Sequence, residues 1–245
     1  MPNRRRPRIP ITAEEFVATL QRSFLPTIVV EGDQDIIVYR QLERIFADIG
    51  VSVMPVGGRD MVLGLFKRSR EFDEGPKKAF IADRDAWVSH GVPAHYQHHR
   101  LLLTDGYSIE NDVLRDLRLE NLMTAPEHER YRAELATYLR WYALAFIRRT
   151  HGTHPNRLLD NAAYLHDQMT LRPQEEYPNY VYFEICQDYL RVVRGKSLLA
   201  ILVRHLSYSG RTPRHNATAL LEMAAITRGP LLEGLFDRVG HEIRP

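Results

Sequence analysis

The sequence predicts an α/β fold, a parallel sheet flanked by helices and followed by a helical C-terminal half, and three observations predict it. Residues 27–30, 51–56, 79–82 and 101–104 are short, mostly apolar runs that read as strands, and the apolar character of the first suggests a strand covered on both faces. Segments with helical spacing separate the first three runs. Beyond about Asn111 the runs cease and helical spacing takes over. The resulting β–α–β–α–β order implies right-handed crossovers and helices on both faces of the sheet.

Each element follows in turn. Thr12 and Glu15 read as a capping box opening a helix with Phe16, Leu20 and Phe24 on one face, closed by Pro26. The first strand, Thr27-Ile28-Val29-Val30, ends in Glu31. Gly32 and Asp33 turn the chain, and Asp33 is placed to cap a helix over 34–49 that Gly50 stops. The second strand, 51–56, leads into Gly57-Gly58 and an amphipathic helix through Val62, Leu65 and Phe66. A polar loop over 71–78 precedes the third strand, which runs directly into Asp83-Arg84-Asp85; residues 101–104 form the fourth. Helical spacing then covers 131–147, 157–166, 180–193, 196–208 and 217–226, divided by Pro155, Pro173, Pro178, Pro213 and Pro230. The expected organisation is a basic tail at 1–10, an α/β domain at 11–115 and a helical extension at 116–245.

Hydrophobic residues make up 44% and charged residues 26% of 245, ordinary values for a globular chain able to bury its own core. The one cysteine, Cys186, excludes an internal disulfide. No apolar run approaches the roughly 20 residues of a membrane span, and the N-terminal arginines precede no apolar stretch of the secretory kind. A cytoplasmic location is expected. Formal net charge is +2, but Arg4, Arg5, Arg6 and Arg8 alone bring four positive charges, so the rest of the chain is net −2. The tail is a local cationic arm, suited either to neutralising phosphates or simply to solubilising a terminus.

The acids fall where an open parallel sheet gathers ligands, at the carboxyl ends of its strands. Glu31 ends the first strand, Asp83 and Asp85 the third, and Glu110 lies just past the fourth. In extended backbone, Asp83 and Asp85 project to the same side and Arg84 elsewhere, into a structural ion pair. Carboxylates brought together repel unless one takes up a proton or a cation lies between them. Mg²⁺ suits such a site, needing one or two carboxylates beside waters and substrate phosphates, and a pair of ions clamps the attacking and leaving oxygens of a phosphoryl displacement. Gly57-Gly58 leaves the backbone open for an approaching phosphodiester.

Val30-Glu31-Gly32-Asp33-Gln34-Asp35, Gly57-Gly58-Arg59-Asp60, Ile81-Ala82-Asp83-Arg84-Asp85 and Tyr107-Ser108-Ile109-Glu110-Asn111 together resemble a TOPRIM domain, a Rossmann-like sheet fold. The form is similar to the branch related to OLD-family nucleases, which includes small effectors of the PARIS anti-phage system. The resemblance covers about residues 27–115, with a further echo at Gly195-Lys196-Ser197-Leu198-Leu199. It implies a metal-dependent nuclease binding Mg²⁺ or Mn²⁺, two ions in all. Glu31 would bind metal or assist proton transfer, Asp83 and Asp85 would be ligands, and Glu110 would complete the second metal site. Asp35 is either a further ligand or a helix-start acid favoured by the dipole. Lys196 either meets a phosphate or transition-state charge or is an ordinary helix-start lysine. The implied partners are RNA (tRNA among it) or DNA as substrate, an ABC-type ATPase of the AriA kind as controller, a second copy in a homodimer, and no membrane. In that setting the chain is a toxin effector in anti-phage defence, released to cut host tRNA.

Other motifs carry less. His95, His98 and His99, and the His151-x-x-His154 pair, lack further ligands in zinc-like spacing. No phosphate-binding loop is present, and Ser89-His90 lacks the glycines of a hydrolase nucleophile elbow. Trp141 and Tyr142 are expected to pack within a helix, and Arg204, Arg211, Arg214 and Arg228 read as scattered surface charge. Two rivals to the nuclease remain: a catalytically idle TOPRIM-like subunit regulating or binding an ATPase complex, and, with less support, topoisomerase- or primase-like chemistry. The second lacks both a catalytic tyrosine module and a nucleotidyl-transfer domain.

Overall fold

Helix α1 (Ala13–Arg22) begins where its capping box places it. The Glu15 N–H donates to the Thr12 hydroxyl at 3.3 Å and the Thr12 N–H donates to the Glu15 carboxylate at 2.7 Å, matching two amides that a helix start leaves open. Phe16, Val17 and Leu20 are buried, whereas Phe24 lies past the end of the helix and is 92% exposed. The apolar face therefore stops one step short of its sequence spacing. These coordinates come from a computed structural model that describes residues 11–32, 35–150 and 169–244.

Strands β1 (Thr27–Val30), β2 (Ser52–Pro55), β3 (Lys78–Ala82) and β4 (Leu101–Leu103) form one four-stranded parallel sheet in the order β2-β1-β3-β4. β1 pairs with β2, Thr27 opposite Ser52 and Val30 opposite Pro55, and with β3, Thr27 opposite Lys78 and Val29 opposite Phe80. Every residue of β1, β3 and β4 is buried, which is why their apolar runs show no alternation. β2 is an edge strand and buries only Val53. Each large apolar side chain so enclosed, Ile28 or Phe80 for example, contributes about 1.5–3 kcal/mol. The architecture is α/β, as the sequence predicts.

The single helix expected over 34–49 is instead two short ones, α2 (Ile36–Tyr39) and α3 (Gln41–Ile45). Its first turn is Ile36-Ile37-Val38, a β-branched run that favours helix weakly. Helix α4 (Arg59–Lys67) buries Val62, Leu63, Leu65 and Phe66, the last meeting Phe80 edge-on at 5.6 Å. The backbone before it needs its glycines: Gly57 has φ 89° and Gly58 φ 139°, and no atom lies within 4 Å of a Cβ at either.

Helix α5 (Trp87–His90) follows β3, and after β4 come α6 (Ile109–Leu117), α7 (Ala125–Thr150), α8 (Asn179–Gln187), α9 (Tyr189–Val192), α10 (Gly195–Leu206), α11 (Ala217–Thr227) and α12 (Pro230–Ile243). The helix expected over 157–166 lies outside the described residues. The one expected over 180–193 divides at Asp188, whose φ is −140°. α6 and α12 have no counterpart in the sequence reading. α12 starts on Pro230, a position where a missing N–H costs nothing, and its Leu231 and Leu232 amides donate to the two Asp116 carboxylate oxygens at 3.0 and 2.9 Å. Among the described residues, no strand follows β4 and no helix is long and apolar enough to cross a membrane.

The chain forms two compact units. The first comprises residues up to 82, 98–102 and 236 onward, with β1, β2, β3 and most of β4. The end of α12 is tied into it, with Arg244 donating to Asp48 at 2.6 Å and lying over the Phe46 ring, and Glu242 meeting His99 Nδ1 at 2.6 Å. The second unit comprises 83–97 and 103–235. There α7 packs against α8 and α10, burying Tyr131, Leu135, Tyr138, Trp141 and Tyr142, the last two packing within a helix as expected.

Candidate metal and phosphate centre

In the first unit the acids stand at the end of β1. Glu31 follows Val30 directly and is half-buried. Asp35 occupies the N-cap position of α2 and is 3% exposed; its carbonyl accepts the Val38 and Tyr39 amides, and its side chain caps nothing. The Asp35 carboxylate turns back toward the Glu31-Gly32 corner, for a Cβ at Gly32 would lie 3.6 Å from Asp35 Oδ2. The helix-start reading of Asp35 thus has its position right, and the carboxylate itself belongs to the strand-end corner. Gly57-Gly58 sits at the same end of β2, the neighbour of β1.

In the second unit three more of the expected residues meet around the first turn of α6. Asp83 is 7% exposed, and its Oδ1 accepts the Ile109 amide at 3.1 Å. Glu110, the next residue, is 3% exposed; it accepts the Ser108 hydroxyl at 2.6 Å and lies 3.9 Å from Lys196 Nζ. Lys196 is 40% exposed on the first turn of α10. Two carboxylates buried at a helix N-terminus gain from its dipole, and Lys196 adds a full positive charge.

Asp85 corrects an expectation. Strand β3 ends at Ala82, and Asp85 has φ 49°, so alternation along extended backbone does not aim Asp83 and Asp85 together. Asp tolerates this left-handed conformation better than most residues, and the Asp85 amide is held there by the Tyr107 carbonyl at 2.8 Å. The charge of the neighbouring Arg84 reaches Asp105. Burial acts to raise the Asp105 pKa, but the Arg115 hydrogen bond and the charges of Arg115, Arg191 and Arg84 hold it below the usual carboxylate range.

The frame around these acids is built by Ser108 and Asn111. Asn111 Oδ1 accepts the Ser108 amide at 2.9 Å, and its Nδ2 donates to the Leu190 and Val193 carbonyls at 2.7 and 2.8 Å. It thereby fixes α6 against the approach to α10 and hence Lys196. Asp112 takes the Gly106 and Asp105 amides at 2.7 and 2.9 Å; burial pushes its pKa up to about 6 against those two bonds. Sequence reading marked Tyr107 to Asn111 as a motif but gave Ser108, Asn111 and Asp112 no work. Ser108 followed by Asn111 has capping spacing, a signal that was available.

The donor set is carboxylate oxygen throughout, without sulfur or imidazole, and so fits a hard divalent cation such as Mg²⁺ or Mn²⁺. Among the described residues, no three acidic, imidazole or thiol side chains gather into a ligand cluster. A cation here would rest on one or two carboxylates with water and phosphate, as Mg²⁺ commonly does. Of the histidines considered for zinc, His151 and His154 lie outside the described residues, while His98 and His99 stack on each other at 4.3 Å. No protein-family model matches the sequence, and a search of curated proteins finds no significant match.

Proposed function

We propose that this chain is a Mg²⁺-dependent nuclease that hydrolyses phosphodiester bonds of RNA or DNA. The observation that carries this reading is the pair of buried acids, Asp83 and Glu110, fixed at the start of α6 with Lys196 3.9 Å from the second. Burying carboxylates without compensation is costly, and positions that hold them in place beside a cation are where ionic chemistry is found. Asp83 and Asp85 would hold the metal, which would supply a polarised phosphate and a water of lowered pKa. The resemblance gives Glu31, half-buried at the end of β1, a metal-binding or proton-transfer role. Lys196 would neutralise phosphate charge, and Glu110 would position Lys196. The resemblance to anti-phage effectors suggests tRNA as one target, an ABC-type ATPase as controller and a homodimer as the working form.

One observation favours the idle-subunit reading. Asp83 caps a helix amide and Glu110 is balanced by Lys196, so both acids also have structural work. Isosteric substitution separates the two. Asp83→Asn keeps an oxygen for the Ile109 amide but removes the charge a cation needs. The full chain with Mg²⁺ should cut total RNA or plasmid, and EDTA should stop it. Asp83→Asn and Glu31→Ala should each lower cutting at least about 100-fold, since losing even an outer-shell partner of a metal costs up to that much. Far-UV circular dichroism of both variants should match the wild type. A wild-type chain that neither cuts nor binds Mg²⁺ or Mn²⁺ by calorimetry, or a Glu31→Ala chain cutting at full rate, would refute the nuclease.

A further inference from the structure

The helical unit contains a cavity of about 200 Å³ lined from α5, α7, α9 and the loop before α6, and a second of about 320 Å³ shares its walls at Ser89, His90, Tyr142, Phe146 and Val192. The proposed cleavage chemistry uses neither. Their combined size is that of a site for a small ligand, largely apolar with a few polar groups. His90 and Phe146 present near-parallel rings, centroids 5.7 Å apart and planes 17° from each other, and Tyr142, also in the lining, is buried. Arg149 is an exposed cation in the lining. Its charge and that of Arg194 both reach Tyr107. Tyr107 joins the cavity to the acids, for its carbonyl holds the Asp85 amide at 2.8 Å, and the Asp85 charge helps burial push its hydroxyl pKa up.

We propose that this cavity takes the base of one nucleotide of a single-stranded nucleic acid, stacked on His90 and Phe146, with its phosphate at Arg149 beside Asp85. Flat aromatic walls accept any base, because each has a π-face, and the arginine fork matches a phosphate. A base seated here would present its own backbone to the acids. This use of the pocket rests on the nuclease reading; binding itself is measured without cleavage.

The test is calorimetric titration of the full chain, in EDTA, with AMP, CMP, GMP and UMP and with the matching nucleosides. At least one monophosphate should saturate. His90→Ala and Phe146→Leu should each weaken it about 5-fold or more, the low end of the loss when a base loses a stacking partner. Arg149→Gln should weaken the monophosphate and leave the nucleoside unchanged. His90 and Arg149 are exposed, so these two variants should keep their fold. No saturation by any mononucleotide at millimolar concentration, or affinity unchanged in all three variants, overturns the proposal. Binding by a chain that never cuts would leave the pocket standing and remove the nuclease. Cutting by a chain that binds no mononucleotide would do the reverse.

Discussion

Gly195→Ala is expected to lower thermal stability by roughly 6–12 °C and to weaken metal-dependent cutting with it. A Cβ at Gly195 would lie 2.3 Å from Asn111 Oδ1, 2.5 Å from Ser108 Oγ and 2.9 Å from the Asn111 amide nitrogen. None of these atoms can retreat cheaply. Asn111 is held by its bonds to the Ser108 amide and to the Leu190 and Val193 carbonyls, and the Ser108 hydroxyl by its bond to Glu110. Overpacking costs about 1–3 kcal/mol, and each displaced hydrogen bond adds about 1 kcal/mol. A total of about 3 kcal/mol corresponds to the stated shift at 2–4 °C per kcal/mol for a chain of this size. Lys196 is the next residue, so moving the start of α10 also moves the ammonium away from Glu110. Gly64, in the middle of α4, is the control: nothing lies within 4 Å of a Cβ there, and Gly64→Ala should be neutral or stabilising by up to about 1 kcal/mol. Equal melting temperatures for wild type and Gly195→Ala would show that this contact is not tight in solution.

That contact also shows what sequence can and cannot reveal. The sheet was legible because its strands are buried on both faces, and burial writes itself directly into composition as Thr27-Ile28-Val29-Val30 or Ala79-Phe80-Ile81-Ala82. The parallel pairing of β1 with β3 was legible too, but among the described residues no three acids gather into a ligand cluster. The conformation of Asp85 was not legible: a positive φ at a residue other than glycine is imposed by a distant carbonyl, that of Tyr107. The work of Asn111 was equally hidden, because the carbonyls it binds are about eighty residues downstream. Residues 83–97 continue the sheet in sequence yet make their contacts with the helical unit, and 236 onward does the opposite. Such exchanges are made by side chains that no local period records. The pocket beside Tyr107 was invisible for the same reason, drawing His90, Phe146 and Val192 from three helices.

Replacing Arg211 by Met should destabilise the helical unit by about 3 kcal/mol at pH 7, with a gap that narrows in acid. Arg211 Nε donates to Glu127 at 2.8 Å, Nη2 to the Leu122 carbonyl at 2.8 Å, and Nη1 to the Pro213 carbonyl, with the two charged side chains only 9% and 2% exposed. Removing one partner of a buried pair leaves the other charge uncompensated, which costs about 3–5 kcal/mol. Met fills much of the same volume, so the loss is mostly electrostatic. The Arg211 hydrogen bond, followed by the Thr124 amide, holds the Glu127 pKa down to about 2, whereas an unfolded glutamate titrates near about 4.3. A depressed folded-state pKa means the unfolded chain binds the proton first as pH falls. The stabilisation is therefore complete above about pH 4.3 and disappears as pH drops toward 2. In Arg211→Met that pH dependence should be largely gone, because its main cause is gone. Thermal unfolding of both proteins at pH 7 and pH 3 measures the effect directly. A difference in melting temperature of the same size at both pH values would mean that Arg211 acts through packing alone, and that the charge of Glu127 does not need it.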